Sequence, residues 1–313
     1  MTSESKEKWI FIVNPVAGNG YAKSLIPVIR EKMNKFNIDG EMILTEKKGH
    51  ASEISRMYYS RGFRYIVGVG GDGTVNEIAR PLINKQDVIL GVIPGGTGND
   101  YIQITGFPDR FSEDDWKIFF SANTVDTDAG KVNEMIFLNG MGLGFDAQVA
   151  AENYAGEGVV KAGGKHKYLW HIIKTILFFR EKRMKVKSGN DYYETDCFIN
   201  TIAIGRRFAG GFFLTPGAIA NDGLLDICSI KRLNLIQRFR LFLKVPTGRH
   251  IHDKKVNYYR SSELQIKFPS SVPYHVDGEL NFSGEFRVSI IPSALRVIYN
   301  PQGKHYFRDD GSR

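Results

Sequence analysis

No stretch of this chain is long and apolar enough to span a bilayer. The run Ile172 to Phe179 is already broken by Lys174, and nothing approaches the ~18 residues a crossing helix needs. Met1 to Lys8 is polar and charged with no apolar segment behind it, so no secretory leader is expected. Cysteine is scarce: Cys197 and Cys228 sit in apolar segments without metal-ligand spacing, and core thiols in a reducing compartment are expected rather than a disulfide or redox pair. Seven histidines show no metal pairing; His250-Ile251-His252 reads as a solvated loop before it reads as a ligand pair. No G-x-x-x-x-G-K-S/T occurs, which excludes a P-loop. Internal repeats, low-complexity tracts and recognisable RNA or DNA motifs are also missing, so nucleic acid is not an expected partner.

What is present is an ordinary globular composition, 42% hydrophobic and 24% charged, over 313 residues, enough for two domains. The formal charge of +8 is unevenly placed. Residues 156–260 hold 20 Lys+Arg against 8 Asp+Glu, and the rest of the chain holds 22 against 26. A surface of that kind suits an anionic partner, such as a membrane, a nucleic acid or an acidic substrate, unless it is simply a solvated face.

The first 100 residues alternate strand, glycine-rich loop and helix. Strands are expected at Trp9 to Val13, Glu41 to Leu44, Tyr65 to Val69 and Val88 to Ile93, with helices at Leu25 to Phe36, Ala51 to Arg61 and Val75 to Ile83. Apolar strands alternating with helices predict an α/β domain with a parallel sheet covered on both faces, whose ligands collect at the carboxyl ends of the strands. From about residue 129 the texture changes. Short runs at Ile136 to Leu138, Cys197 to Ile204, Leu225 to Ile230, Leu264 to Phe268 and Phe286 to Ile291, separated by turn residues, predict an antiparallel sandwich. One helix, Lys165 to about Lys182, interrupts it. The expected division is an α/β domain over 1–128, to which 295–313 returns, and an all-β sandwich domain over 129–294.

Three glycine-rich loops fall at strand ends. Gly68-Val69-Gly70-Gly71-Asp72-Gly73 fits G-x-G-x-x-G formally, but it does not follow the first strand. The acid a dinucleotide site needs roughly 20 positions on is replaced by Val92-Ile93-Pro94. Glycines let amide N–H groups converge on phosphate. Asp72 would repel phosphate there unless a cation or a substrate hydroxyl lay between them, which points to phosphoryl transfer. A tight turn capping the next helix through Asp72 or Thr74 is the alternative for this loop alone. The second loop, Pro94 to Asp100, and Asn14-Pro15 on a third strand favour the phosphate reading.

In order along the chain stand Asn14-Pro15-x-Ala17-Gly18, Gly70-Gly71-Asp72-Gly73-Thr74-Val75-Asn76-Glu77, Pro94-Gly95-Gly96-Thr97-Gly98-Asn99-Asp100, Asp128-Ala129-Gly130-Lys131-Val132-Asn133, Asn221-Asp222-Gly223-Leu224-Leu225-Asp226 and Asp277-Gly278-Glu279. In this ordered set the chain resembles the diacylglycerol kinase catalytic-domain family, which includes bacterial lipid kinases and the sphingosine and ceramide kinases. The resemblance implies a two-domain lipid kinase with ATP in the cleft between an α/β domain and a β-sandwich. It implies ATP contacts from Asn14, Thr45, the loop Gly70, Gly71, Asp72, Gly73, Thr74, Val75 and Asn76, and Thr97. It implies Mg²⁺ held by Asp222 with main-chain oxygens of Ile219 and Leu224, Asp128 facing the Asp72 loop as a further metal residue, and Glu279 as proton acceptor beside Asp72. The expected partners are a lipid substrate and anionic phospholipids, and the expected setting is cytoplasmic, peripheral at the inner membrane surface. The helix 165–182 is the expected membrane contact. An NAD kinase, or a nucleotide-gated lipid-binding protein without turnover, are the rival readings. The sequence is silent on oligomeric state and leaves a homodimer open.

Overall fold

The computed structural model describes residues 8–153, 174–189 and 191–308. Two compact units divide the chain: Met1–Ala129, Ala220–Asp222 and Pro292–Arg313 form one, and Gly130–Ile219 with Gly223–Ile291 form the other.

The first unit is built on β1 (Trp9–Val13), β2 (Gly40–Leu44), β3 (Tyr65–Gly70) and β4 (Ile89–Pro94). The strands lie in the order β2-β1-β3-β4, and every pairing is parallel. Residues Arg296 and Val297, near the end of β13 (Glu279–Ile298), add a further parallel pairing to β4. β1 and β3 are buried along their whole length, which is why they read as unbroken apolar runs. Helices α1 (Tyr21–Lys35), α2 (His50–Ser60), α3 (Asp72–Ala79) and α4 (Glu113–Phe120) connect and cover the strands. Ser112 and Asp115 form a reciprocal capping box at the start of α4, and three acids in its first turn complement the helix dipole. Its aromatic side chains close the core around Trp9, whose ring stacks on Tyr65 at 4.2 Å. α3 begins earlier than the periodicity suggests and ends at Ala79, where Arg80–Leu82 tighten into a 3-10 turn around Pro81.

The second unit contains β6 (Met135–Phe137), β7 (Gly140–Gly144), β8 (Lys182–Ser188), β9 (Asp191–Ala203), β10 (Leu225–Lys231), β11 (Val256–Ser261) and β12 (Glu263–Val276), with the first part of β13 and the end of β5 (Thr124–Val132). Strands β6 to β12 pair antiparallel with their neighbours. The long strands β9 and β12 are bridged twice, by β7 at one end and by β8 at the other. The unit is not all-β: α5 (Phe145–Asn153) and α6 (Leu235–Phe242) belong to it. Phe145, Val149, Ile176, Phe198 and Leu241 share one buried cluster there.

Of the helix expected over 165–182, residues 165–173 lie outside the described residues. Residues 174–178 are helical, but Lys182 already opens β8, whose Met184 and Val186 alternate inward between exposed cations. Both cysteines are free and buried, and burial pushes the Cys228 thiol up to about 12, so they are core thiols. His250 is also fully buried rather than solvated; its Nε2 lies 3.2 Å from the Leu214 carbonyl and 3.5 Å from Cys228 Sγ.

Candidate active site

In the first unit the three glycine loops leave the carboxyl ends of β1, β3 and β4 and interlock. Gly95 N donates to Gly70 O at 2.8 Å, and Asn14 N donates to Val69 O at 2.9 Å. A Cβ on Gly71 would lie 3.2 Å from Gly96 Cα, and one on Gly18 would run into the Gly95 carbonyl. Bare backbone at these contacts lets the loops lie against one another. Side chains staple the rest. Asn14 Nδ2 donates to Thr74 Oγ1 at 2.9 Å, and Asn99 bonds both the amide and the carbonyl of Gly96.

Asp72 stands in the first turn of α3, whose N-cap is Gly71 with no side-chain cap. The capping alternative for Asp72 and Thr74 is therefore not what the structure shows. Asp72 Oδ1 instead accepts from Tyr101 N at 2.9 Å, which ties the loop after β4 to the start of α3. Gly98 passes its other oxygen so closely that a Cβ there would lie 3.2 Å from Oδ2. The carboxylate thus sits among the loop glycines, where the sequence pattern puts it.

The remaining predicted nucleotide contacts divide. Gly73 is exposed, and a Cβ there would meet nothing within 4 Å; Thr97 is exposed too. Thr45 follows β2, with its N–H on the Val13 carbonyl at 2.8 Å. Its loop is held to α3 by Glu77, whose carboxylate accepts from Gly49 N at 3.0 Å. Thr74 and Asn76 are buried, and Val75 is committed inside the fold: its side chain is in the core and its N–H donates to Gly71 O. Val75 therefore offers a ligand neither side chain nor amide.

Asp128 is buried in β5, and its Oδ1 accepts from Ser293 N at 2.8 Å. Its neighbour Asp126 pairs with Arg296 at 2.8 Å, so both acids fasten the returning strand to β5. Asp128 N and Thr127 Oγ1 both donate to Ala220 O. That anchors the start of the turn Asn221-Asp222-Gly223, in which Gly223 takes φ +75. Asp222 with the Ile219 and Leu224 carbonyls is an all-oxygen donor set on six successive residues, the chemistry that suits Mg²⁺ with waters completing the shell. Among the described residues no cluster of three His, Cys, Asp or Glu side chains could hold a metal ion.

In the second unit Glu279 opens β13, opposite Val276 across a two-residue turn. The turn is fixed by Asp277, which the motif alone did not single out. Its carboxylate accepts from three consecutive amides: Leu138 N at 2.7 Å, Asn139 N at 3.0 Å and Gly140 N at 2.9 Å. Asp277 therefore sets where Glu279 begins. The supports of the 215–224 segment were also missed. Arg206 donates to Ala218 O and Arg260 to Gly217 O, and buried Asp226 accepts from Tyr258 and Arg260. Charged residues holding carbonyls around a glycine-containing turn are a signal sequence reading can look for.

Glycine loops interlocked at the carboxyl ends of a parallel sheet, with a carboxylate among them, place the first unit in the α/β class whose ligands collect at those strand ends. Residues 8–132 match the family model described as the diacylglycerol kinase catalytic domain, and residues 140–299 match the YegS C-terminal NAD kinase beta sandwich-like domain. The chain belongs to the diacylglycerol kinase catalytic-domain family, with the YegS C-terminal domain as its second part. It is 27% identical over 289 residues to the Probable lipid kinase YegS-like of Citrobacter koseri, covering 91% of this chain and 93% of that protein. It is likewise 27% identical over 290 residues to the Probable lipid kinase YegS of Escherichia coli O6:K15:H31, covering 90% and 94%. A crystal structure of a diacylglycerol kinase from Bacillus anthracis strain Sterne superposes with a TM-score of 0.70 at 20% identity, over 94% of this chain and 97% of that one, and shows the same fold.

Proposed function

We propose that the protein transfers the γ-phosphoryl group of ATP to a hydroxyl of a membrane lipid, in a Mg²⁺-dependent reaction. The observation that carries the reading is the Asp72 carboxylate set among three glycine loops locked together at Gly18/Gly95 and Gly71/Gly96. Such loops present main-chain amides to phosphate, and phosphoryl transfer depends on positioning and charge neutralisation more than on covalent chemistry. The family membership and the lipid-kinase names of the relatives support the acceptor class.

In this mechanism the exposed Gly73 and Thr97 meet the phosphates, while Asn14, Thr74 and Asn99 keep the loops in register. Glu279 accepts the proton of the lipid hydroxyl as its oxygen bonds to the γ-phosphorus and the bond to ADP breaks. Asp277 holds Glu279 in place through its three amide contacts. Asp222, with the Ile219 and Leu224 carbonyls, would hold Mg²⁺, which when bound neutralises phosphate charge. The enzyme works as a peripheral protein at an anionic lipid surface; among the described residues no helix is long and apolar enough to cross a membrane.

The test is transfer from radiolabelled ATP to diacylglycerol, phosphatidylglycerol, a sphingoid base, ceramide and a polyprenol, with NAD as a further acceptor. Label in at least one lipid is expected. Label in NAD alone, or in none of them, overturns the reading.

A further inference from the structure

Helix α6 buries a cation beside its inward Leu241 and leaves a second set of apolar side chains outside. Helices at a water surface usually turn apolar side chains inward and charge outward. In α6 Arg238 is buried beside Leu241, while Ile236 and Phe239 are 71% and 43% exposed and Leu243, just past the helix end, is 77% exposed. The three fall at i, i+3 and i+7 and so form one stripe.

The orientation is fixed from inside. Arg238 bonds the Glu181 carboxylate at 2.7 Å, with both side chains only 7% exposed. It also donates to the Ile176 carbonyl at 2.6 Å and the Phe179 carbonyl at 3.0 Å. Turning α6 over would strip these partners from a buried charge, so the outward apolar stripe is held by the fold. Asn234 and Gln237 complete a capping box that sets the start of the helix. The bonds from Arg238 also join α6 to the segment carrying Phe178, which is 73% exposed.

The charge along this part of the chain is positive, with Asp253 the acid paired to its last cation, Lys244, at 3.2 Å. Residues 231–244 contain Lys231, Arg232, Arg238, Arg240 and Lys244 and no acid. Lys231, Arg232 and Arg240 are exposed, and Arg232 lines a crevice with Arg180 next to the buried pair. An apolar stripe bordered by cations is the pattern of a helix lying in the plane of an anionic membrane, apolar side against the acyl boundary and cations among the headgroups.

We propose that α6, with the exposed Phe178, is the surface by which this protein docks on an anionic lipid bilayer. The choice of a bilayer over a protein partner rests on the lipid-kinase reading and on the excess of cations over residues 231–244. Docking here overlaps the contact expected from the sequence, the segment 165–182, at Phe178 and adds α6 to it.

The experiment measures co-sedimentation with phosphatidylcholine vesicles, with and without phosphatidylglycerol, over a salt series. The proteins are the parent chain, the double variant Ile236→Asp/Phe239→Asp, the double variant Lys231→Glu/Arg240→Glu, and Tyr192→Ser as a control at an exposed aromatic elsewhere in the second unit. The apolar double variant is expected to bind at least about tenfold more weakly at every salt concentration. The charge double variant is expected to lose about tenfold at low salt, with the difference closing as salt rises. Tyr192→Ser should match the parent. Melting temperatures check folding, and if the apolar variant does not fold, the charge variant decides the matter alone.

Binding of both variants within about twofold of the parent at low salt overturns the proposal. Loss of self-association with vesicle binding unchanged also overturns it and assigns the surface to a second copy of the chain. A parent protein that binds vesicles but transfers no phosphate leaves the docking surface standing and removes the kinase reading. Turnover without vesicle binding does the reverse.

Discussion

Replacing Asp277 by alanine should loosen the second unit and stop catalysis through a residue that need never touch substrate. Asp277 and Gly278 both take positive φ, +45 and +85, as a two-residue hairpin turn between paired Val276 and Glu279 demands. The carboxylate accepts three amide hydrogens in a row, from Leu138, Asn139 and Gly140. Hydrogen bonds to a charged group contribute about 1.5–3 kcal/mol each, and alanine in a left-handed conformation costs roughly a further 1 kcal/mol. The three bonds share one acceptor group and do not add fully, so Asp277→Ala is expected to cost about 3–5 kcal/mol. Asp277→Asn keeps the turn preference and one oxygen but sets an amide against an amide, and should cost about 1.5–3 kcal/mol. In urea unfolding followed by circular dichroism, the alanine midpoint should fall by about 1–2 M. Hydrogen exchange at residues 138–140 should quicken, and kcat should drop at temperatures where the variant is still folded. A midpoint within about 0.3 M of the parent, with kcat unchanged, would refute the reasoning.

Four further outcomes are expected. Glu279→Gln, nearly isosteric but unable to take a proton, should keep ATP affinity by calorimetry while kcat falls about 100-fold; a kcat within about threefold of the parent rejects the general-base role. Asp72→Asn can still accept from Tyr101 N, so it should retain nucleotide affinity and lose most turnover, whereas Asp72→Ala should lose both; equal behaviour of the two would show that the Tyr101 tie is unimportant. Asp222→Ala should lower Mg²⁺ stoichiometry by one and abolish most activity with both units folded, and unchanged metal binding would make Asp222 a turn residue only. Burial lowers the His250 pKa below its usual 6.5, against the opposing hydrogen bond to Leu214. The stability tied to keeping it neutral is therefore complete above about pH 6.5 and is lost as pH falls below that. The melting temperature of the parent should drop between pH 6.5 and 5 more steeply than that of His250→Asn, and equal slopes would count against this.

The strand-loop-helix rhythm of the first 100 residues was legible because fully buried parallel strands are written as unbroken apolar runs. β1 and β3 differ from the reading by at most one residue. The second unit was harder. β8 reads Lys-Arg-Met-Lys-Val-Lys-Ser, and its cations looked like the end of a helix because only Met184 and Val186 mark the period of two. α5 buries Phe145, Ala147 and Val149, a spacing that gives no helical stripe. α6 went unseen because apolar residues lie on both its faces, Leu241 inward and Ile236 and Phe239 outward, which blurs a single stripe. At the site, the glycine loops were readable from residue type and spacing alone. That Val75 is sealed into the core, and that Asp277 rather than chance places Glu279, depends on hydrogen bonds between residues far apart in sequence.

The chain passes between its two units four times, at residues 129/130, 219/220, 222/223 and 291/292. Neither half can therefore be excised with one cut. A fragment ending at residue 132 would keep every glycine loop yet lose Arg296 and Val297 from beside β4, along with Ser293, which caps the Asp128 carboxylate. Its sheet would carry a raw hydrogen-bonding edge and a stranded buried acid, conditions that favour aggregation over function. Gene fusions, truncations and split reporters of this protein must respect that threading, and exchanging the first unit between relatives moves three segments together, the second unit two.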